Sequence, residues 1–259
     1  MDRREFLVGI GVFVAAACGG SPTGPGPIVQ PPAPPPPPPP PPSVPVLGIS
    51  RILSFGDSMT EGTVSAPITS ARLALTAGLP RSYPFKLNTL LSQRYTSQEV
   101  VVMNGGRAGR KATEDRGRIG GVMSEADAEL LLLMEGANDL LSIFIPPIPE
   151  SPNAVVKGAV DAMEDMVREA MFRGMQVMVM SLPPQRASGS RGAASSYVPQ
   201  YNAQLQQMCA KKGAKFVDLH SQFDLSLIGE DGLHPTEAGY QRIAEIIAAA
   251  IRTDFERPA

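Results

Sequence analysis

An alcohol becomes a useful nucleophile only when a histidine can take its proton, and the histidine does this best when a carboxylate fixes its tautomer. Asp231-Gly232-Leu233-His234-Pro235 supplies such a pair, with a glycine between the two side chains that permits a tight turn. Ser58, in Gly56-Asp57-Ser58, is the candidate nucleophile. The oxyanion formed on attack needs donors, for which the amides of Ser58 and Gly106 and the carboxamide of Asn138 are candidates. Acyl transfer is the chemistry this set fits. Each member also has a plainer role open to it. Ser58-Met59-Thr60-Glu61 matches a helix capping box, Gly106 suits a turn, Asn138-Asp139 suits a cap, and Asp231 to His234 suits a surface loop. The other histidine, His220, is read as structural.

Residues this far apart can meet only if the chain between them folds to bring them together. From Arg51 onward, apolar runs alternate with amphipathic stretches, the pattern of a parallel α/β sheet. Strands are expected at 51–55, 99–104, 129–134, 176–181 and 215–218. Helices are expected at 83–95, 112–125, 153–173, 198–212 and 236–254. In such a sheet, ligands bind beyond the carboxyl ends of the strands. Ser58, Gly106 and Asn138 each follow one of those runs, and Asp231 and His234 lie in the loop after the last, so the set would converge on one edge.

Four segments carry a further resemblance. Phe55-Gly56-Asp57-Ser58-Met59-Thr60-Glu61-Gly62, Asn104-Gly105-Gly106-Arg107-Ala108-Gly109, Gly136-Ala137-Asn138-Asp139 and Asp231-Gly232-Leu233-His234-Pro235 occur in this order. Together they resemble the SGNH hydrolase, or GDSL esterase/lipase, superfamily across residues 51–251. The resemblance implies an α/β fold of three layers, α/β/α, around a flavodoxin-like five-stranded parallel sheet. It also implies ester hydrolysis without metal or cofactor, with Ser58 as nucleophile, His234 and Asp231 behind it, and Gly106 and Asn138 in the oxyanion hole. One departure is Gly105, where the family usually carries an aliphatic residue.

Competing motifs fail on spacing. Thr60 stands where the elbow of α/β-hydrolases needs its last glycine, Arg110 stands where a P-loop needs lysine, and no G-x-G-x-x-G follows a strand. The formal charge of -2, from 23 basic and 25 acidic residues without long single-sign runs, removes the electrostatic signature of a nucleic-acid binder. With two cysteines, Cys18 and Cys209, a thiol-rich zinc site is excluded, and Cys209 is expected as a free, buried thiol.

The chain opens with Met1 to Cys18, in which Arg3-Arg4 precedes a short apolar run ending Ala15-Ala16-Ala17-Cys18. That run is too short to span a bilayer and reads as an export signal, 1–18, cleaved before Cys18. Ala-Ala-Ala-Cys resembles a bacterial lipobox, with Cys18 as the lipid attachment, and Arg3-Arg4-Glu5-Phe6-Leu7 resembles a twin-arginine signal. Of the 27 prolines, 15 fall between Pro22 and Pro45, nine of them consecutive, so 19–50 is expected to be an extended stalk and 51–259 the hydrolase domain. The expected location is the cell envelope, in the outer membrane where the bacterium has one.

These readings combine into an exported, membrane-anchored serine esterase acting on a small-molecule or polysaccharide ester. Carbohydrate O-deacetylation or O-acyl transfer by the same site, and a non-catalytic surface binding module, are the alternatives. Leu140 to Pro149 reads as an apolar loop directly after Asn138-Asp139; it either folds over the sheet edge to fill core space or, through Ile143, Phe144 and Ile145, walls an acyl pocket.

Overall fold

All five expected strands form. The computed structural model describes residues 24, 44–63, 79–149 and 151–258; the expected export signal, Cys18 and most of the expected stalk lie outside the described residues. In chain order the strands are β1 (Val46–Leu47), β2 (Arg51–Gly56), β3 (Val101–Gly106), β4 (Leu130–Met134), β5 (Gln176–Met180), β6 (Lys215–Val217) and β7 (Glu256–Arg257). The helices are α1 (Ser58–Glu61), α2 (Tyr83–Arg94), α3 (Ala112–Asp115), α4 (Ile119–Ala126), α5 (Ala137–Leu141), α6 (Pro152–Phe172), α7 (Val198–Lys212) and α8 (Glu237–Phe255).

β3, β2, β4, β5 and β6 lie side by side in that order, every neighbouring pair parallel. This is the flavodoxin-like order, in which the chain leaves its first strand for one edge and then crosses back, opening a crevice at the carboxyl ends of β2 and β4. All five residues of β4 are buried, as a central strand covered on both faces requires. α2 packs with α8 and α6 with α7, the two outer layers of a three-layer sandwich. α6 shows why its residues form a helix. Ser151 caps it, Pro152 opens it, and Val156, Ala159, Val160, Met163, Met166, Val167 and Ala170 repeat every three or four residues along its buried stripe. Each large side chain so buried contributes about 1.5–3 kcal/mol.

Three expectations need correction. The folded domain begins before residue 51: Val46 pairs with Arg257 and Leu47 with Glu256, the Gly48 amide donates to the Phe255 carbonyl at 2.8 Å, and Leu47 and Ile49 are buried. A two-residue strand has no periodicity to read, and the nearby prolines drew the boundary too far along the chain. The helix expected over 112–125 is two helices, interrupted at Arg116-Gly117-Arg118. Glycine weakens a helix there, and the buried Asp115 carboxylate pulls both Arg110 and Arg118 onto itself. The apolar segment after Asn138 is not all loop. It starts as α5 and tightens into a 3-10 turn over Ser142–Phe144 before its prolines.

Candidate active site

Ser58 is the first residue of α1, at the carboxyl end of β2, and it does not cap the helix. Asp57 does: its Oδ1 accepts from the Met59 amide at 2.9 Å. The serine hydroxyl is thereby free, and it lies 2.8 Å from His234 Nε2. On the other side of the ring, Nδ1 is 2.5 Å from Asp231 Oδ2. The loop that carries this pair is braced from several directions. Asp231 Oδ1 accepts the amides of Leu233 and His234, both at 3.0 Å, and the Asp231 carbonyl accepts the Arg191 amide at 2.7 Å. Gly232 turns the chain with φ of 84°, and its carbonyl accepts the Arg186 amide at 2.8 Å. A side chain at Gly232 would also meet the Arg186 carbonyl, at 2.3 Å. The aspartate therefore fixes both the backbone of the turn and the ring it carries.

The expected oxyanion donors divide. Among the described residues, no acceptor takes the Ser58 amide. The Gly106 amide is spent, donating to Asn104 Oδ1 at 2.9 Å. Glycine is needed at 106 for another reason: a Cβ there would lie 2.3 Å from the Glu61 nitrogen, so the end of β3 packs directly on the backbone of α1. Asn104 fastens the same contact from its other end, with Nδ2 donating to the Thr60 carbonyl at 3.0 Å. Gly109, the last glycine of the same motif, has φ of 77°, open space around it and an amide with no acceptor among the described residues. Asn138 donates one Nδ2 hydrogen to the Arg110 carbonyl at 2.8 Å, which leaves the second for a ligand. Its neighbour Asp139 does act as a cap, accepting the Ala112 amide at 2.7 Å and the Thr113 hydroxyl at 2.8 Å.

Burial holds the His234 imidazole below its usual range, and the charge of Arg191 acts in the same direction, against the hydrogen bond and charge of Asp231. Burial opposes ionisation of Asp231, yet hydrogen bonds from His234 and from two amides outweigh it and keep the carboxyl below its ordinary range. At neutral pH the pair rests as carboxylate and neutral imidazole, so Nε2 has a lone pair to offer. Beneath the site lies a set of buried acids. Burial pushes Asp57 up to about 7, helped by the charges of Asp139 and Asp115. Burial also raises Glu135 well above its usual range, with Asp115 next in effect. Asp115 itself stays low despite burial, because Arg118 and Arg110 both bond to it.

A cavity of about 460 Å³ opens beside Asn138 and is also lined by Gly109, Ile145, Pro146, Lys111 and Arg191. Of the three residues expected to wall an acyl pocket, only Ile145 lines it. Ile143 is 4% exposed and belongs to the core, while Phe144 is 44% exposed and tilts against Tyr197 with ring centroids 6.0 Å apart. The 3-10 turn rotates these two side chains to opposite sides. A larger cavity, about 750 Å³, sits at the amino ends of β4, β5 and β6, where Gln176, Lys215 and the buried Cys209 line it, at the sheet edge away from Ser58. The Cys209 thiol is free, and burial pushes it up to about 12. His220 begins a short 3-10 turn, tied by its own amide to Ser181 Oγ at 3.0 Å.

A family model described as GDSL-like Lipase/Acylhydrolase matches residues 54–242, which contain every member of this site. The chain belongs to that family. Membership places this GDSL-type hydrolase among ester-hydrolysing enzymes. A multidomain esterase of Ruminococcus flavefaciens is 23% identical to it over 129 residues, a match covering 49% of this chain and 16% of the relative. Among solved structures, an acetylxylan esterase from Geobacillus stearothermophilus superposes with a TM-score of 0.64 at 19% identity, covering 79% of this chain and 94% of the other. A lipase/acylhydrolase from Enterococcus faecalis gives 0.64 at 18% identity, covering 82% and 99%. Both share the fold of the GDSL-type hydrolase.

Sequence reasoning missed Gly109, Lys111 and Arg191 around this hydrolase's site. Gly109 was within reach, because the last glycine of the Asn104 to Gly109 motif falls in the short loop between β3 and the helix expected from 112, where a glycine is free to take a positive φ. Arg191 had no signal, since nothing in its neighbourhood announces that its amide meets Asp231. The Gly105 departure has a packing cost in reverse: a Cβ there would come within 3.2 Å of both Leu53 and Val122, so this core is built around the missing side chain.

Proposed function

We propose that the chain is a serine esterase that hydrolyses carboxylic esters through an acyl-enzyme on Ser58. The unbroken hydrogen-bond chain from Ser58 Oγ through His234 to Asp231 carries this reading. As Oγ bonds to the ester carbon, its proton passes to His234 Nε2, and Asp231 stabilises the imidazolium that results. The Ser58 amide, the Gly109 amide and Asn138 Nδ2 receive the oxyanion, with Gly109 replacing Gly106 as the third donor. Collapse breaks the bond to the alcohol oxygen, which takes the proton from His234. Water then repeats the sequence to release the acid and restore the serine.

The substrate reading favours acetyl esters of carbohydrates over long-chain esters. With Ile143 in the core and Phe144 turned away, Ile145 is the one remaining member of the expected acyl wall. The acetylxylan esterase among the similar folds agrees with a short acyl group. Transfer of the acyl group to a sugar would use the same steps with a different acceptor. The purified protein, assayed on aryl acetate, butyrate and octanoate and on acetylated xylo-oligosaccharides, is expected to show its highest kcat/KM on acetyl esters. Activity should fall with acidification through a midpoint below 6.5, because only neutral His234 accepts a proton and burial lowers its pKa. Binding without turnover on every ester would leave the non-catalytic module as the answer.

We also propose export and anchoring through lipid on Cys18, with the proline-rich segment as a stalk. The support is the Ala15-Ala16-Ala17-Cys18 motif and the proline run; among the described residues no helix is long and apolar enough to cross a membrane. Metabolic labelling with a fatty acid should tag the wild-type chain and not Cys18→Ser. An untagged wild-type chain would end the proposal.

A further inference from the structure

Of the twenty described lysines and arginines, eleven have a carboxylate within 4.0 Å. Arg94 meets Glu256, Arg110 and Arg118 meet Asp115, and Lys157, Lys212 and Lys215 each have a carboxylate within 4.0 Å. Lys111 and Arg191 have none within that distance among the described residues, although they stand about eighty residues apart in sequence. Both line the 460 Å³ cavity that Asn138 and Gly109 also line, and no carboxylate shares that lining. The two nearest acids are already committed. Asp139, which feels the charge of Lys111 from the adjoining cavity, accepts from Ala112 and twice from Thr113. Asp231 is held by His234 and by two amides of its own turn. Arg191 is anchored where its charge matters, since its backbone amide bonds to the Asp231 carbonyl at 2.7 Å.

Two cations on a concave lining, neither held in an ion pair, offer charge and N–H donors that a neutral ester does not use. A carboxylate would use them. The guanidinium offers a planar fork suited to two carboxylate oxygens, and the lysine adds a point charge from the same lining. We propose that the ester taken by this site carries a negative charge, a carboxylate or comparable anion close to the scissile bond, which Lys111 and Arg191 receive. The inference rests on the esterase reading and names the class of its substrate: an acyl ester of an acidic sugar, or an ester whose acyl group itself ends in a carboxylate. The apolar part of the same lining, Ile145 and Pro146, then takes the uncharged portion between anion and ester.

The test uses two matched pairs at pH 8, where His234 is neutral with or without Arg191. One pair is the 4-nitrophenyl monoester of glutaric acid against 4-nitrophenyl pentanoate. The other is O-acetylated glucuronic acid against O-acetylated glucose. At least one anionic member should exceed its neutral partner by roughly tenfold in kcat/KM, chiefly through KM, since two partly exposed charge contacts amount to about that factor. Which pair shows it tells whether the charge belongs to the acid or to the alcohol. In Lys111→Met/Arg191→Met the preference, read as the ratio of kcat/KM within each pair whatever the absolute rates, should shrink to below about twofold; added salt should erode the wild-type preference in the same direction. Neutral esters hydrolysed with no anionic preference in either pair, or a preference that survives in the double variant, overturns the charge proposal and leaves the esterase reading standing. Failure on all four esters overturns both.

Discussion

Ser58→Ala and His234→Ala are each expected to reduce kcat by roughly 10⁴- to 10⁶-fold, and the double variant by little more, because two residues that move one proton are lost together when either is lost. The structure makes this a clean experiment. Asp57, not Ser58, caps α1, so alanine at 58 removes the hydroxyl and leaves the helix start intact. Thermal unfolding should therefore be nearly unchanged while turnover collapses. Losses that multiply in the double variant would mean the two side chains act separately, and the 2.8 Å contact between them would not be a catalytic one. Asp231→Asn adds a sharper version. Asparagine keeps an oxygen to accept the Leu233 and His234 amides, so the turn survives. Its NH₂ then faces Nδ1 and forces the ring proton onto Nε2, where it blocks acceptance from serine, and a loss of about 10⁴ follows.

Asn138→Ala is expected to lower kcat by roughly 10²–10³ with KM little changed, the signature of a donor used mainly once the oxyanion has formed. One Nδ2 hydrogen is fixed on the Arg110 carbonyl, which sets the plane of the amide before any substrate arrives. That carbonyl is itself held in place. The Arg110 side chain bonds at 2.6 Å to Asp115, a fully buried carboxylate that also grips Arg118. The donor is thus pre-positioned by an ion-pair cluster beneath it and needs no reorganisation during the reaction. Pre-steady-state acylation rates would check it, and an unchanged rate would remove Asn138 from the oxyanion hole.

Much of this arrangement could be read from the sequence, for physical reasons. Runs such as Leu130 to Met134 are short and apolar on both faces, as a covered central strand requires, and residues following parallel strands gather at one edge. By that reasoning Ser58, Asp231 and His234 belong at one edge, and the structure joins those three by hydrogen bonds. Spacing failed where the deciding fact was which hydrogen bond was already made. The Gly106 amide was a reasonable donor until Asn104 was seen to take it, and Ser58 matched a capping box until Asp57 was seen to cap. Side-chain direction failed similarly at Ile143 and Phe144, because a 3-10 turn rotates successive residues by a different angle from either strand or helix. Lys111 and Arg191 became informative only through the cavity they share, a property of the folded surface alone.

The pairing of β1 with β7 reaches beyond stability. Both segments lie at the amino edge of the sheet, where Ser50 and Arg51 donate to Glu129 just ahead of β4. Ser58 and His234 are at the carboxyl edge. The chain from residue 44 thus enters the domain at one rim, and Ser58 and His234 stand at the other. Any load applied through residue 44 passes into the last turn of α8 through the bonds at Leu47 and Gly48, and bypasses the loops that hold the catalytic groups.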